Sequence, residues 1–92
     1  MRFEWDNEKN LINIRKHGID FNDVPGMFEH PVVSLRDDRV SYGEERWISL
    51  GLIASFVGVV VYTERRGNAI RIISARKATR EEAKRYVQCI EN

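Results

Sequence analysis

The chain has 92 residues, 42% apolar and 32% charged, with a formal net charge of +1; this is enough for one modest core and excludes a disordered chain. No apolar run approaches the roughly 20 residues a membrane span needs, and the start lacks the basic-then-apolar layout of a signal peptide. One cysteine, Cys89, rules out an internal disulfide and fits a reducing compartment, so the chain reads as cytoplasmic. The net charge conceals an asymmetry: residues 1–61 hold seven Lys and Arg against ten Asp and Glu, whereas residues 62–92 hold eight against four. A basic half suits nucleic acid, and equally suits the solvated faces of a strand and helix.

Arg2 to Trp5 alternates polar and apolar, predicting a short opening strand with Phe3 and Trp5 toward the core. Asp6 or Asn7 then caps a helix running to about His17 and ended by Gly18, with Leu11, Ile12 and Ile14 as its buried stripe. A second short helix is predicted over Asn22 to Glu29, Val24, Met27 and Phe28 inward, with Pro25 tolerated in its first turn. Pro31 blocks continuation, Val32 to Leu35 reads as an edge strand, and Arg36 to Glu45 is the longest loop.

Arg46 to Ala54 alternates again, which assigns Ile48, Leu50 and Leu52 to the core face and Trp47, Ser49 and Gly51 to a face open to solvent or ligand. Ala54-Ser55 marks a turn into Val57 to Glu64, a run apolar at nearly every position and so a central strand covered on both faces. Gly67-Asn68 is a turn signal leading to a strand over Ile70 to Ala75, and if Ile70 and Ile72 face inward Arg71 faces out. Thr79 with Glu82 fits a capping box for a last helix to about Ile90, its stripe formed by Ala83, Tyr86, Val87 and Ile90. The order predicts an α+β domain with helices against one face of a mostly antiparallel sheet of four or five strands.

Two isolated histidines, His17 and His30, and one cysteine supply no metal-ligand spacing, and neither a P-loop nor a dinucleotide fingerprint is present, so no metal or cofactor is expected. What remains is a set of cations with a few proton carriers: Lys16, His17, Glu64, Arg65, Arg71, Ser74, Arg76, Arg80 and Tyr86. RNA cleavage needs little more. A base takes the 2′-hydroxyl proton, cations stabilise the phosphorane oxygens, and an acid protonates the leaving oxygen. Arginine suits the middle role because its planar fork matches phosphate oxygens.

Phe3-Glu-Trp-Asp6, Lys9, Asn13, Lys16-His17-Gly18, Phe21, the Tyr42 to Trp47 segment, Tyr62-Thr-Glu-Arg65 and above all Ile70 to Ala78 resemble, in order and separation, the BrnT family of bacterial type II toxins. The resemblance implies a single toxin domain over residues 1–92 with a RelE-like fold, and a metal-independent endoribonuclease whose cleavage of RNA inhibits translation and arrests growth. It also implies a BrnA-like antitoxin with a ribbon-helix-helix part, a two-plus-two heterotetramer, and operator DNA binding through that antitoxin. By resemblance His17, Glu64, Arg71 and Arg76 take catalytic roles, with Lys16, Arg46, Arg65, Arg80 and Tyr86 as RNA contacts. His17 and Glu64 compete for the base. Ordinary readings stand beside these: Glu64 paired with Arg71 or Arg65, Arg76 tying the sheet to the last helix, or the whole chain a non-catalytic subunit that binds a DNA-binding antitoxin. The sequence departs from the family at Pro25, at Val40-Ser41, and at Arg65-Arg66-Gly67, where the turn is one residue longer.

Overall fold

In a computed structural model the described residues form five strands, two α-helices and two 3₁₀ turns. The structure describes residues 1–39, 41 and 43–91; Val40, Tyr42 and Asn92 lie outside them, as therefore do part of the Val40-Ser41 departure and the first residue of the Tyr42 to Trp47 motif. In chain order come β1 (Arg2–Glu4), α1 (Asn7–His17), 3₁₀ turns at Phe21–Asp23 and Pro25–Glu29, β2 (Val33–Arg36), β3 (Trp47–Ile53), β4 (Phe56–Arg65), β5 (Ala69–Lys77) and α2 (Arg80–Glu91). The sheet runs β1-β5-β4-β3-β2, with the expected central strand in the middle. Three of its pairings are antiparallel and β1 joins β5 in parallel, so the sheet is mixed. No helix among the described residues is long and apolar enough to cross a membrane.

Local signals act as expected. Asp6 caps α1 by accepting hydrogen bonds from the N–H groups of Glu8 and Lys9, and Gly18 closes it at φ +72°, where a side chain would be strained. Thr79 and Glu82 bond each other's backbone N–H at the start of α2, 3.2 and 2.9 Å. The Asn22–Glu29 helix does not form. Asp20 caps a first 3₁₀ turn, Pro25 lacks the N–H a continuing helix needs, and bonds from Val24 to Phe21 and from Met27 to Val24 take over. Val24 and Met27 are nevertheless buried, as the pattern required.

Several inward assignments are reversed. On β3 it is Trp47, Ser49, Gly51 and Ile53 that pair with the core residues of β4, and the small side chains there admit Met27, since a Cβ on Gly51 would meet Met27 Cγ at 2.5 Å. That face, with Val60, Tyr62, Ile70, Ile72 and Ala75, packs on Phe21, Val24 and Met27, and the rings of Phe3, Phe28 and Tyr62 follow one another at 5.4 Å. The opposite face carries Ile48, Leu50, Val59 and Val61 and is partly covered by α2, so helical segments lie on both faces rather than one. An apolar central strand demands this.

In α1 the buried residues are Asn10 and Asn13, while Leu11 and Ile12 are 55% and 57% exposed and Ile14 stands at the margin. The cause is the open edge of β5, because β1 reaches only Ala69 to Arg71. Asn13 stands in for a missing strand residue: its Oδ1 accepts from Ala75 N–H at 3.1 Å and its Nδ2 donates to Ala75 O at 2.8 Å and to Ile19 O at 2.9 Å. Asn10 accepts from Phe21 N–H and donates to Asp20. Leaving such buried backbone groups unpaired costs about 1–3 kcal/mol each, so the three that Asn13 serves together outweigh the roughly 1.5–3 kcal/mol that burying one leucine returns. In α2 Tyr86 is buried, but Val87 and Ile90 are exposed because the outer half of the helix is not covered.

Candidate ribonuclease site

The geometry of the candidate site begins with an irregularity in β5. Val61 pairs with Ser74 but Tyr62 pairs with Ile72, so Ile73 is an extra residue, a β-bulge. Strict alternation would send Arg71 and Arg76, five residues apart, to opposite faces. The bulge resets the parity: Arg71 lies beside Thr63, Ser74 beside Val61 and Arg76 beside Val59, all on the face opposite the main core. Thr63 and Val59 are four residues apart, so the two arginines are roughly 13 Å apart along the strands with Ser74 between them.

Arg71 is half-buried and has no ion-pair or hydrogen-bond partner for its guanidinium among the described residues. Arg76 instead donates to both oxygens of Glu82, Nη1 to Oε1 at 2.8 Å and Nη2 to Oε2 at 2.9 Å, with Nη1 also 3.2 Å from Lys77 O. The hydrogen bonds from Arg76, and then that from Thr79 N–H, pull the Glu82 carboxyl down to about 2. Arg76 is held more firmly protonated, first by Glu82, while the nearby charge of Arg39 opposes it. Arg39 itself clasps the buried Asp37 carboxylate at 2.8 and 2.9 Å. Arg39 is thus a further cation near Arg76, one that nothing local in the sequence announces.

Lys16 and His17 come to the same strand from the other side. Both are exposed at the end of α1, and with Lys9, Ile12, Asn13, Ile73 and Ser74 they line a groove of about 180 Å³ along the β5 edge. His17 therefore shares this groove with Ser74, the middle member of the Arg71, Ser74, Arg76 row. Glu64 does not join them. It is exposed near the far end of β4, in a separate pocket with Glu44, Glu45, Trp47, Thr63 and Arg65, and pairs with neither Arg71 nor Arg65. Glu44 stands between Arg46 and Arg65, 3.6 Å from a nitrogen of each, and Thr63 Oγ1 ties this segment down by donating to Glu45 O at 2.7 Å. Arg80 is exposed at the first turn of α2.

Tyr86 is corrected from RNA contact to core residue: it is 1% exposed, and its hydroxyl donates to Pro31 O at 2.7 Å. Among the described residues no group of three or more His, Cys, Asp or Glu side chains stands close enough to hold a metal ion. The bulge thus puts two guanidinium groups on one face of one strand, that of Arg76 engaged by Glu82, with a hydroxyl between them and an imidazole in the groove beside that hydroxyl.

A family model described as the ribonuclease toxin BrnT of type II toxin-antitoxin systems matches residues 5–82. The 1.1 Å crystal structure of the Brucella abortus ribonuclease toxin BrnT is similar, with a TM-score of 0.66 at 26% identity over 87% of this chain and 99% of that one. No curated protein matches the chain.

Proposed function

The chain belongs to the BrnT family of ribonuclease toxins of type II toxin-antitoxin systems, and from that premise we propose that it is a metal-independent endoribonuclease working on the β5 face. The observation that carries the reading is the Ile73 bulge, which aligns Arg71, Ser74 and Arg76 beside the His17 groove. His17 takes the proton of a ribose 2′-hydroxyl, and the 2′-oxygen forms a bond to the adjacent phosphorus. The bond to the 5′-oxygen breaks, and that oxygen takes a proton from solvent, leaving a cyclic phosphate and a 5′-hydroxyl. Arg71 and Arg76 stabilise the charge on the phosphorane oxygens, and Lys16 steers the RNA. Glu64, in the other pocket, is assigned no proton; with Arg65, and with Arg46 held beside Glu44, it borders the path of the flanking nucleotides. The toxin domain spans residues 1–92, RelE-like in plan, acts in the cytoplasm, and is neutralised by a BrnA-like antitoxin in a two-plus-two assembly that binds operator DNA through the antitoxin's ribbon-helix-helix part.

Purified protein incubated with RNA and EDTA yields fragments ending in cyclic phosphate, and Arg71→Ala lowers the rate about 100- to 1,000-fold. Intact RNA at micromolar protein overturns the reading. One observation favours a second reading, a non-catalytic subunit: Glu82 already occupies two nitrogens of Arg76, as a purely structural arginine would be occupied. Under that reading His17→Ala and Arg71→Ala change nothing that RNA cleavage measures.

A further inference from the structure

The exposed side of α1 has no structural employment. Leu11 and Ile12 lie side by side one turn from Glu8 and Arg15, both more than half exposed, on a helix whose inward contacts are made by asparagines. Beside Ile12 the groove along β5 continues the apolar surface through Ile73, and Lys9 and Lys16 stand on its rim. A helix that turns aliphatic side chains outward while anchoring itself by polar ones is built with a surface to give.

We propose that the outer face of α1 is the docking surface for an acidic amphipathic segment of the protein that neutralises this toxin, an inference that rests on the family reading above. Charge selects this occupant. Lys9, Arg15 and Lys16 outnumber Glu8 around Leu11 and Ile12, so leucine-like side chains flanked by carboxylates complement the patch in both respects. A second copy of this chain does so less well, because a two-fold contact centred on Leu11 and Ile12 sets Arg15 against Glu8 of the other copy but Lys9 and Lys16 against Ile14 and Asn7, leaving both lysines without a carboxylate. An RNA backbone matches the rim but not the aliphatic centre, which would be left wet or covered by phosphate. A segment seated on Ile12 and Ile73 also lies over the groove that holds His17 and Ser74, so docking here closes that approach without any movement of the sheet.

The test uses the full chain and the antitoxin of its own system, with affinity read by calorimetry and RNA cleavage read in parallel. Leu11→Gln, which keeps the helix and removes only apolar surface, weakens antitoxin binding about 10-fold. Leu11→Glu and Arg15→Glu weaken it about 100-fold, and all three variants keep the wild-type melting temperature within a few degrees and cleave RNA at the wild-type rate. Wild-type affinity in Leu11→Glu and Arg15→Glu overturns this inference and leaves the ribonuclease reading untouched. Loss of RNA binding with unchanged antitoxin affinity also overturns it, by making the face an RNA surface. A wild-type chain that binds no antitoxin removes both the docking site and the partner assignment, while cleavage of RNA stands or falls separately.

Discussion

The two α-helices attach to the same sheet by opposite means. α2 follows its pattern in part: Tyr86 goes inward, the capping box closes the first turn, and Glu82 reaches the sheet through Arg76. α1 inverts its pattern, presenting asparagines to the protein and aliphatic residues to water. What differs is the ground beneath them. α2 lies over side chains of a sheet face, where apolar contact is what is wanted. α1 lies along the unpaired edge of β5, where backbone N–H and C=O groups need partners. Amphipathicity tells which residues could be buried, and the surface underneath decides which are.

The sharpest way to break this comparison is Asn13→Leu, the substitution that hydrophobic patterning would favour. It deprives Ala75 N–H, Ala75 O and Ile19 O of their partner at once, so the expected loss is about 3 kcal/mol in urea-melt stability. A stability equal to or above wild type would show that apolar burial governs α1 after all. Because Asn13 also sets how α1 and β5 meet, cleavage should fall even at temperatures where the variant is folded.

This contrast also marks what the sequence could and could not disclose. The caps at Asp6, Gly18 and Thr79, the turn at Ala54-Ser55 and the bounds of β3, β4 and β5 were legible within a residue or two, because each depends on neighbours in the chain. The burial of Asn13 was not, since its partner Ala75 is 62 residues away. Nor was the inward turn of Ser49 and Gly51, which depends on Met27 arriving from the 3₁₀ segment. The site divides similarly. Chemistry puts Arg71, Arg76 and His17 among the available cations and proton carriers and the family resemblance singles them out, but a shared face for Arg71 and Arg76 rests on the Ile73 bulge, which alternation alone would have denied. The stripe of α2 places Tyr86 inward, against the RNA contact that the resemblance implies, but does not say that its hydroxyl has a carbonyl waiting at Pro31.

On the α2 side the larger test is electrostatic. The Glu82 carboxyl is held near 2 against an ordinary value of 4.5, so between these values the unfolded chain takes up a proton that the folded chain does not. The stabilisation is complete above about pH 4.5 and is lost as the pH falls toward 2. Asp20, lowered by Asn22 N–H and by the Asn10 and Asn22 side chains, adds a slope of the same sign. Glu82→Gln keeps a capping amide but removes the charge, and because both partners are partly exposed the cost at neutral pH is about 1–2 kcal/mol. Melting temperatures measured from pH 7 to 2 should converge between wild type and variant at the acid end. Curves that stay parallel would show that the Arg76 pair does not fasten α2.

The smallest expected effect separates structure from chemistry at Tyr86. Tyr86→Phe keeps the ring in the core and deletes one hydroxyl, leaving Pro31 O to find water at the start of β2; the expected loss is about 0.5–1 kcal/mol in denaturant melts. Since the hydroxyl is 2.7 Å from Pro31 O and the residue is almost wholly buried, it has no route to a phosphate, and RNA cleavage by the folded variant should equal that of wild type. A tenfold fall in cleavage at unchanged stability would mean that α2 lifts from the sheet when RNA binds, exposing Tyr86 and releasing Glu82 from Arg76. The two helices would then differ in permanence as well as in chemistry, α1 fixed by its asparagines and α2 a movable cover over the arginines.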